Sequence, residues 1–439
     1  MPASARLLFL LGVSLSAADR TVPPVIELAR TGPPEFFADA VVRIIQSGKI
    51  PQRDTQVELL EQAFAIANSA REPIRLIAIP GTPPDTREIY RGKAGDLALD
   101  RLSLQSRIVR ELVTLDRVMA RALFDAMTRP KLAPRPCSDP LIADASPYYD
   151  AAAAIAQSAF TEKEKQTEAH VQFLTALLAG AQSPNEIAAW TRAVQSVALL
   201  PAQWRLLVAA LAAKLDASPL DYRPFVMSLD SLAAEIRNIE AIAGTNELSQ
   251  PFRKYVVTQL KAARCSPDLA LDPVSWLDPP VSEDESKPSS RKESFESAQK
   301  YFESADSKQL GDSLNALRTA VDDRRARFSD VLRDFNGWRP DGSNVDVFHQ
   351  KATVLRALLE MTPPGEDRER VLNLAFSFLR SSAVERESPA QWLWEARTIV
   401  ELANADASKL VAAFPASGNV SLSLYAQLGY FGVSSGTSK

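Results

Sequence analysis

A helical hydrophobic period that stops and restarts at prolines and glycines is the feature that most constrains this chain. The first apolar stripe has helical spacing and comprises Phe36, Phe37, Ala40, Val41, Ile44 and Ile45. Pro33 and Pro34 precede this stripe and Gly48 follows it, and such residues favour the starts and stops of helices. Another stripe begins after Pro51, so the sequence predicts two adjacent amphipathic helices that form an αα-hairpin.

The same pattern recurs along the chain. Apolar residues spaced by three or four run from Leu104 to Leu123, and Asp116 is predicted to cap the second of two helices there. Further helices are predicted at residues 147–160, 163–180, 184–198, 201–215, 227–243, 249–264, 292–304, 307–334, 346–361, 367–382, 389–404 and 406–413. The chain has only 16 glycines and 7% aromatic residues, which disfavours turn-dense β-sandwiches and barrels. We therefore predict an all-α fold of stacked antiparallel helix pairs, similar to an α-solenoid, in two sub-arrays.

Changes in composition suggest where these arrays begin and end. Residues 278–291 contain prolines, serines and acidic residues with almost no apolar content, which is typical of a flexible linker. This places an N-terminal array at residues 19–277 and a C-terminal array at 292–431, followed by a small polar tail at 432–439. Residues 73–95 interrupt the first array with a proline-rich loop that begins with one short extended segment.

The first 18 residues have the three-part pattern of a secretory signal peptide. Arg6 precedes the apolar run at residues 7–13, and the small residues Ser16, Ala17 and Ala18 follow it. The run is shorter than the roughly 20 residues that span a bilayer, so cleavage before Asp19 is favoured over an uncleaved anchor or a cytosolic start. We expect an exported protein of the periplasm or the cell exterior.

Export changes what is expected of the two cysteines, Cys137 and Cys265. Each is predicted to lie where a helix ends and a proline turn begins. An oxidising compartment allows two such cysteines to pair, so a Cys137–Cys265 disulfide is predicted. The alternative is two separately buried thiols, because free cysteine packs as a small apolar residue.

The charge of the chain argues against nucleic acid as a partner. The sequence has 50 Lys and Arg residues against 54 Asp and Glu residues, and the two signs are interspersed. Beyond the N-terminus no stretch approaches the 18 or so uninterrupted apolar residues of a membrane span. We therefore expect no transmembrane segment in the mature chain.

Sequence motifs for catalysis or cofactor binding are absent. The two histidines, His170 and His349, lie in predicted helices outside any metal or hydrolase motif, and both are interpreted as ordinary surface or boundary residues. No cofactor or metal site is expected. The class of enzyme that these absent motifs leave open needs only carboxylates for catalysis, as in glycoside cleavage. Glu387-Ser388 resembles the active-site Glu-Ser of lytic transglycosylases, although the glycine-rich segment that follows it in that family is absent here.

Two local resemblances bear on the helix pairs. Ala120, Phe124 and Pro130, with the small Ala122 and Ala126, resemble the second helix and closing proline of a tetratricopeptide unit, whose conserved first-helix residues are absent. Helix pairs also recur at roughly the 34 to 47 residue scale of tetratricopeptide and HEAT-type repeats. Residues 99–150 resemble uncharacterised exported all-helical proteins of environmental bacteria, which implies an exported helical fold and no particular activity.

Aromatic residues gather near the C-terminus and offer candidate partner contacts: Trp392, Trp394, Tyr425 and Tyr430. A packed cap for the last helix pair is the other interpretation of this group. Because stacked helix pairs expose long surfaces, the leading hypothesis is a non-enzymatic binding or scaffold protein that holds a peptide or protein. The alternatives are a carboxylate-dependent hydrolase or lyase acting on cell-wall or polysaccharide material, and a purely structural spacer.

Overall fold

A computed structural model describes residues 23–78, 95–130, 132, 141–261, 308–319, 324–382, 384–387, 389–403, 413–415 and 418–430. Within these ranges the chain forms 18 α-helices, one 3-10 turn and two three-residue strands, which confirms the predicted all-α fold. The predicted signal peptide, the linker, the helix at 292–304, the C-terminal tail and most of the proline-rich loop lie outside the described residues.

The helices of the N-terminal part follow the predicted order with two differences. The helix at Pro24–Arg30 was not predicted, and the single helix expected at 163–180 is two helices. The helices and strands of this part are α1 (Pro24–Arg30), α2 (Pro34–Gln46), α3 (Arg53–Ala67), β1 (Leu76–Ala78), α4 (Arg101–Leu115), α5 (Arg117–Ala126), β2 (Leu141–Ala143), α6 (Ser146–Ser158), α7 (Glu162–Gln166), α8 (Ala169–Ala179), α9 (Pro184–Val194), α10 (Pro201–Asp216), α11 (Tyr222–Ala243) and α12 (Ser249–Lys261).

The C-terminal part contains six further helices. They are α13 (Lys308–Thr319), α14 (Arg324–Gly337), α15 (Asn344–Met361), α16 (Glu366–Ser381), α17 (Pro389–Ala403) and α18 (Val420–Tyr430). A single helix at 307–334 was expected here. The expectation is wrong, because α13 and α14 pack against each other, and one straight helix cannot fold back on itself.

Contacts between the N-terminal helices arrange them in two rows. In one row α4 contacts α6, α6 contacts α9, and α9 contacts α11. In the other row α8 contacts α10, and α10 contacts α12. Helix α10 also contacts α11, so the two rows share a core.

Side-chain caps explain where several helices begin. Asp116 lies between α4 and α5, and its Oδ1 accepts hydrogen bonds from the backbone amides of Val118 and Met119 at 3.0 and 2.9 Å. This cap is the one predicted from the sequence, since an N-terminal carboxylate satisfies amides that have no partner inside the helix. Asp100 caps α4 in the same way through the amide of Ser103.

The short extended segment predicted after the first αα-hairpin is β1. It pairs with β2 in an antiparallel ladder in which Leu76 lies opposite Ala143 and Ala78 lies opposite Leu141. The sequence did not indicate β2, because three apolar residues before a helix carry no strand period. The ladder joins the segment before the proline-rich loop to the start of α6.

Two hydrophobic cores lie in the described residues. The first is formed by α1–α6 and α8–α12, and Ala390, Leu424 and Leu428 from the C-terminal part also belong to it. The second is formed by α13–α17 together with Phe414 and Leu422. Helix α18 contacts both α1 and α2, so the last described helix packs against the first. None of the helices in the described ranges is long and apolar enough to cross a membrane.

Candidate functional site

The aromatic residues near the C-terminus are packed more deeply than an exposed anchor requires. Trp392 is fully buried, and its ring lies 6.4 Å from that of Phe348. Trp394 and Tyr425 are half-buried. A partner could reach Trp392 only if α17 moved away from the core. The side chain of Tyr430, and both Cys137 and Cys265, lie outside the residues that the structure describes.

Trp394 belongs to a buried charged cluster that joins α15 to α17. Glu395 has no exposed surface, and its Oε1 lies 2.8 Å from Nδ1 of His349. Its Oε2 lies 3.2 Å from Nε of Arg356, whose guanidinium stacks 4.9 Å above the Trp394 ring. Because the side chains of His349, Arg356 and Glu395 are almost entirely buried, the cluster fixes the position of α17 on α15 and offers no open site for a substrate. The sequence assigned His349 no role, since its partner is 46 residues away.

A second buried cluster lies in the N-terminal core. Arg129 donates hydrogen bonds to the Tyr149 hydroxyl at 2.8 Å and to the Leu177 carbonyl at 2.6 Å, and its Nε lies 3.4 Å from Glu186. The Tyr149 hydroxyl in turn donates to Glu186 at 2.9 Å. Burial, together with the charge of Glu186, raises the pKa of Tyr149, so the phenol stays neutral. This cluster links α6, α8 and α9, and within it Glu186 is buried while the Arg129 side chain is 29% exposed.

His170 is buried in α8, next to the Phe160 ring at 6.2 Å. Burial lowers its pKa, and the nearby Lys165 lowers it further. His170 is therefore buried, and the expectation that it is a surface or boundary residue is wrong. No group of three or more potential metal ligands occurs within the described ranges.

Three carboxyl groups lie near one another where the N-terminal helices meet α17. The Oε1 of Glu72 accepts a hydrogen bond from the Ala390 amide at 2.7 Å. Burial raises the pKa of Glu72 to about 7, and the charges of Glu35 and Asp100 also raise it. Glu35 is fully buried and accepts a hydrogen bond from the Arg71 amide at 2.5 Å.

Glu387, which carries the resemblance to lytic transglycosylases, lies on the surface. Its Oε1 accepts a hydrogen bond from the side-chain amide of Asn344 at 3.1 Å. Ser388 lies outside the described residues. An exposed carboxylate does not lie in the enclosed apolar pocket that a general acid of this kind occupies.

A cavity of about 320 Å³ lies between α13, α14 and the start of α16. Leu317 and Phe328 form its apolar wall, and Glu366 and Asp367 lie at its rim. Both acids belong to the first turn of α16, where carboxylates stabilise the helix dipole, and both lie near Arg370. The helix dipole and Arg370 therefore explain why these two acids lie here, and the acids do not indicate a ligand site.

The outward side of α10 is the most unusual surface among the described residues. Here the exposed side chains Ala202, Leu206, Ala209 and Ala213 follow one another at spacings of four, three and four. We call these four residues the α10 face. Leu206 is 49% exposed, and Leu200, directly before the helix, is 66% exposed.

The inward side of α10 anchors the helix firmly. It buries five large side chains in the first core: Trp204, Leu207, Val208, Leu211 and Leu215. A helix that is apolar on both sides is normally covered on both sides. The α10 face is thus a rigid apolar strip that lacks a cover in the described structure, and it is the candidate functional site. An ordinary helix was predicted at 201–215, because the helical period alone does not tell which apolar residues are buried.

Comparisons of the chain with protein-family models, with curated proteins and with solved structures found no match. The candidate site is therefore inferred from the structure of this chain alone.

Proposed function

We propose that this chain is an exported, non-enzymatic binding or scaffold protein that holds a helix of a partner protein on the α10 face. The observation that carries this proposal is the exposed apolar seam, with spacing of four, three and four, on a helix whose other side is anchored in the core. This spacing is the one at which two helices interdigitate along a common seam.

The size of the side chains favours a helix as the bound element. Three of the four residues in the α10 face are alanines, which allow a second helix to approach to the short end of the usual 8–10 Å separation. Leu206 then supplies the one large side chain of the seam. Fully burying an exposed leucine is worth about 1.5–3 kcal/mol, and because Leu206 is 49% exposed, covering the rest of it is worth about half of that. Leu206 is the expected centre of the binding energy.

Export belongs to the proposal and rests on the sequence alone. Residues 1–18 have the signal-peptide pattern, and the two cysteines suit an oxidising compartment. Non-reducing peptide mapping of the protein purified from its own host tests both points. We expect an N-terminus at Asp19 and a peptide in which Cys137 is joined to Cys265. An intact Met1 together with two free thiols would contradict export.

Site-specific crosslinking tests the binding surface. A photoreactive amino acid is placed at position 206 in one protein and, as a matched control, at the exposed position Asn238 on α11 in another. In the envelope fraction of the host, position 206 is expected to crosslink to one partner sequence with an amphipathic helical pattern, and position 238 is not. Equal crosslinking at both positions, or none at 206, would contradict the proposal.

A carboxylate-dependent hydrolase or lyase acting on cell-wall or polysaccharide material is the second candidate. The observation that favours it is Glu72, since a carboxyl group with a pKa of about 7 can serve as a general acid at neutral pH. Turnover of purified cell wall by wild type, Glu72→Gln and the exposed control Glu61→Gln tests it. Activity lost only in Glu72→Gln would support the enzyme, and absence of turnover in wild type would exclude it.

A further inference from the structure

The surface beside the α10 face is basic. Helix α12 carries Arg253, Lys254 and Lys261, all exposed, and it contains no acidic residue. Helix α10 adds the exposed Arg205. The whole chain, in contrast, has a formal net charge of −4. A cluster of one sign on an oppositely charged protein creates a local field that selects partners by charge.

Contacts place the basic residues of α12 at the C-terminal end of α10, because Gln259 of α12 donates a hydrogen bond to the carbonyl of Pro219, three residues beyond that helix. Helices α10 and α12 pack against each other, with Phe252, Tyr255 and Val256 of α12 buried in the first core. An ion pair of 2.9 Å between Lys254 Nζ and Asp216 Oδ1 joins α12 to the C-terminal end of α10. Asp216 is the only exposed acid of the two helices, so three of the four exposed basic residues on them have no acidic partner on either helix.

The composition of the surface distinguishes a protein partner from a lipid surface. Helices that lie on membranes insert large side chains such as Trp, Phe and Leu beside their basic residues. The aromatic residues of α10 and α12, namely Trp204, Phe252 and Tyr255, are all buried, and the α10 face is mostly alanine. A flat, small-residue strip suits close packing of another helix.

We propose that the partner helix is acidic, with an apolar seam that packs on the α10 face and carboxylates beside the seam that pair with the basic residues of α12. This inference rests on the proposed function and names the chemistry of the partner. The apolar seam supplies most of the affinity, while the charge pairs set the orientation of the partner and the rate of association.

Binding of defined peptides to the full chain tests this inference. The probes are three synthetic amphipathic helices of about 20 residues that share one leucine and alanine seam and carry glutamate, glutamine or lysine beside it. Affinity is measured by isothermal titration at low and at physiological salt for wild type, the double variant Arg253→Glu/Lys261→Glu, and Leu206→Glu. Lys163→Glu, an exposed charge reversal on α7 and thus outside both α10 and α12, is the matched control.

We expect the glutamate peptide to bind wild type about ten-fold more tightly than the lysine peptide, with a difference that shrinks as salt rises. The double variant is expected to reverse this order and Lys163→Glu to keep it. If all three peptides bind equally and Leu206→Glu abolishes their binding, the acidic partner is wrong while the α10 face stands. If no peptide binds, both proposals fail. Binding of anionic vesicles would then identify a membrane as the occupant of the α10 face. A wild-type dimer that dissociates in Leu206→Glu would identify a second copy of the chain as the occupant.

Discussion

The carboxylate of Glu72 accepts a hydrogen bond of 2.7 Å from the backbone amide of Ala390, which lies 318 residues further along the chain. Ala390 is the second residue of α17, so Glu72 caps the N-terminus of a helix that is remote in sequence. Together with the packing of α18 on α1, this bond ties the C-terminal helices to the N-terminal core.

The pKa of Glu72 makes this contact sensitive to pH. Burial raises the pKa from 4.5 to about 7, so the folded chain holds a proton that the unfolded chain releases. The contribution of Glu72 to stability is therefore greatest below pH 4.5 and is lost as pH rises to about 7. Glu72→Gln keeps an oxygen that can accept from Ala390 but does not titrate. We expect wild type to lose up to about 3 kcal/mol relative to this variant between pH 4.5 and 8.

Urea unfolding of both proteins across this pH range measures the difference. Other groups that face Glu72, namely Glu35, Asp100 and Arg71, are present in both proteins and cancel in the comparison. Glu61→Gln, on the exposed side of α3, controls for loss of one negative charge. Parallel pH profiles for wild type and Glu72→Gln would contradict the assignment.

A glycine is predicted to be needed at position 180, because the side chain of Arg129 occupies the space that a Cβ would take. A Cβ added at Gly180 would lie 1.8 Å from Nη1 of Arg129. Gly180→Ala must therefore displace the guanidinium from Tyr149 and from the buried Glu186, at a cost of about 1–3 kcal/mol. The midpoint of chemical denaturation measures this cost. Gly337→Ala, where the added Cβ meets no heavy atom within 4 Å, should be neutral or slightly stabilising, and equal effects of the two substitutions would contradict the account.

Glu395 is predicted to hold the C-terminal core together through its charge. Glu395→Gln keeps the volume of the side chain but removes the carboxylate that pairs with the buried guanidinium of Arg356. Removing one partner of a buried ion pair typically costs about 3–5 kcal/mol. Unfolding followed by tryptophan fluorescence reports on it, since Trp394 stacks on Arg356. The exposed Glu369→Gln serves as control, and an unchanged midpoint for Glu395→Gln would refute the role given to the cluster.

Local signals in the sequence were sufficient to predict most helices. The cap at Asp116 and the helix that starts at Pro34 depend on neighbouring residues only, and both were predicted correctly. The single helix expected at 307–334 failed because its charged residues continue a helical pattern across the boundary between α13 and α14. A pattern of polar and apolar residues does not reveal a reversal of the chain when no proline or glycine marks it.

The contacts that organise the candidate sites depend on residues far apart in sequence. Arg129 and Glu186 are 57 residues apart, and nothing in the neighbourhood of either predicts the other. The α10 face was missed for a related reason. An alanine at a helical position is compatible with burial or exposure, and tertiary packing decides between them.

Binding of the crosslinked partner to variants of the α10 face tests the central claim most directly. The affinity of the partner's helix is measured by isothermal titration for wild type, Leu206→Glu and Val118→Glu, the last of which alters an equally apolar but 81% exposed residue on α5. We expect all three proteins to be folded, Leu206→Glu to bind at least about ten-fold more weakly, and Val118→Glu to bind as wild type does. Wild-type affinity in a folded Leu206→Glu variant would contradict the claim that the α10 face is the binding site.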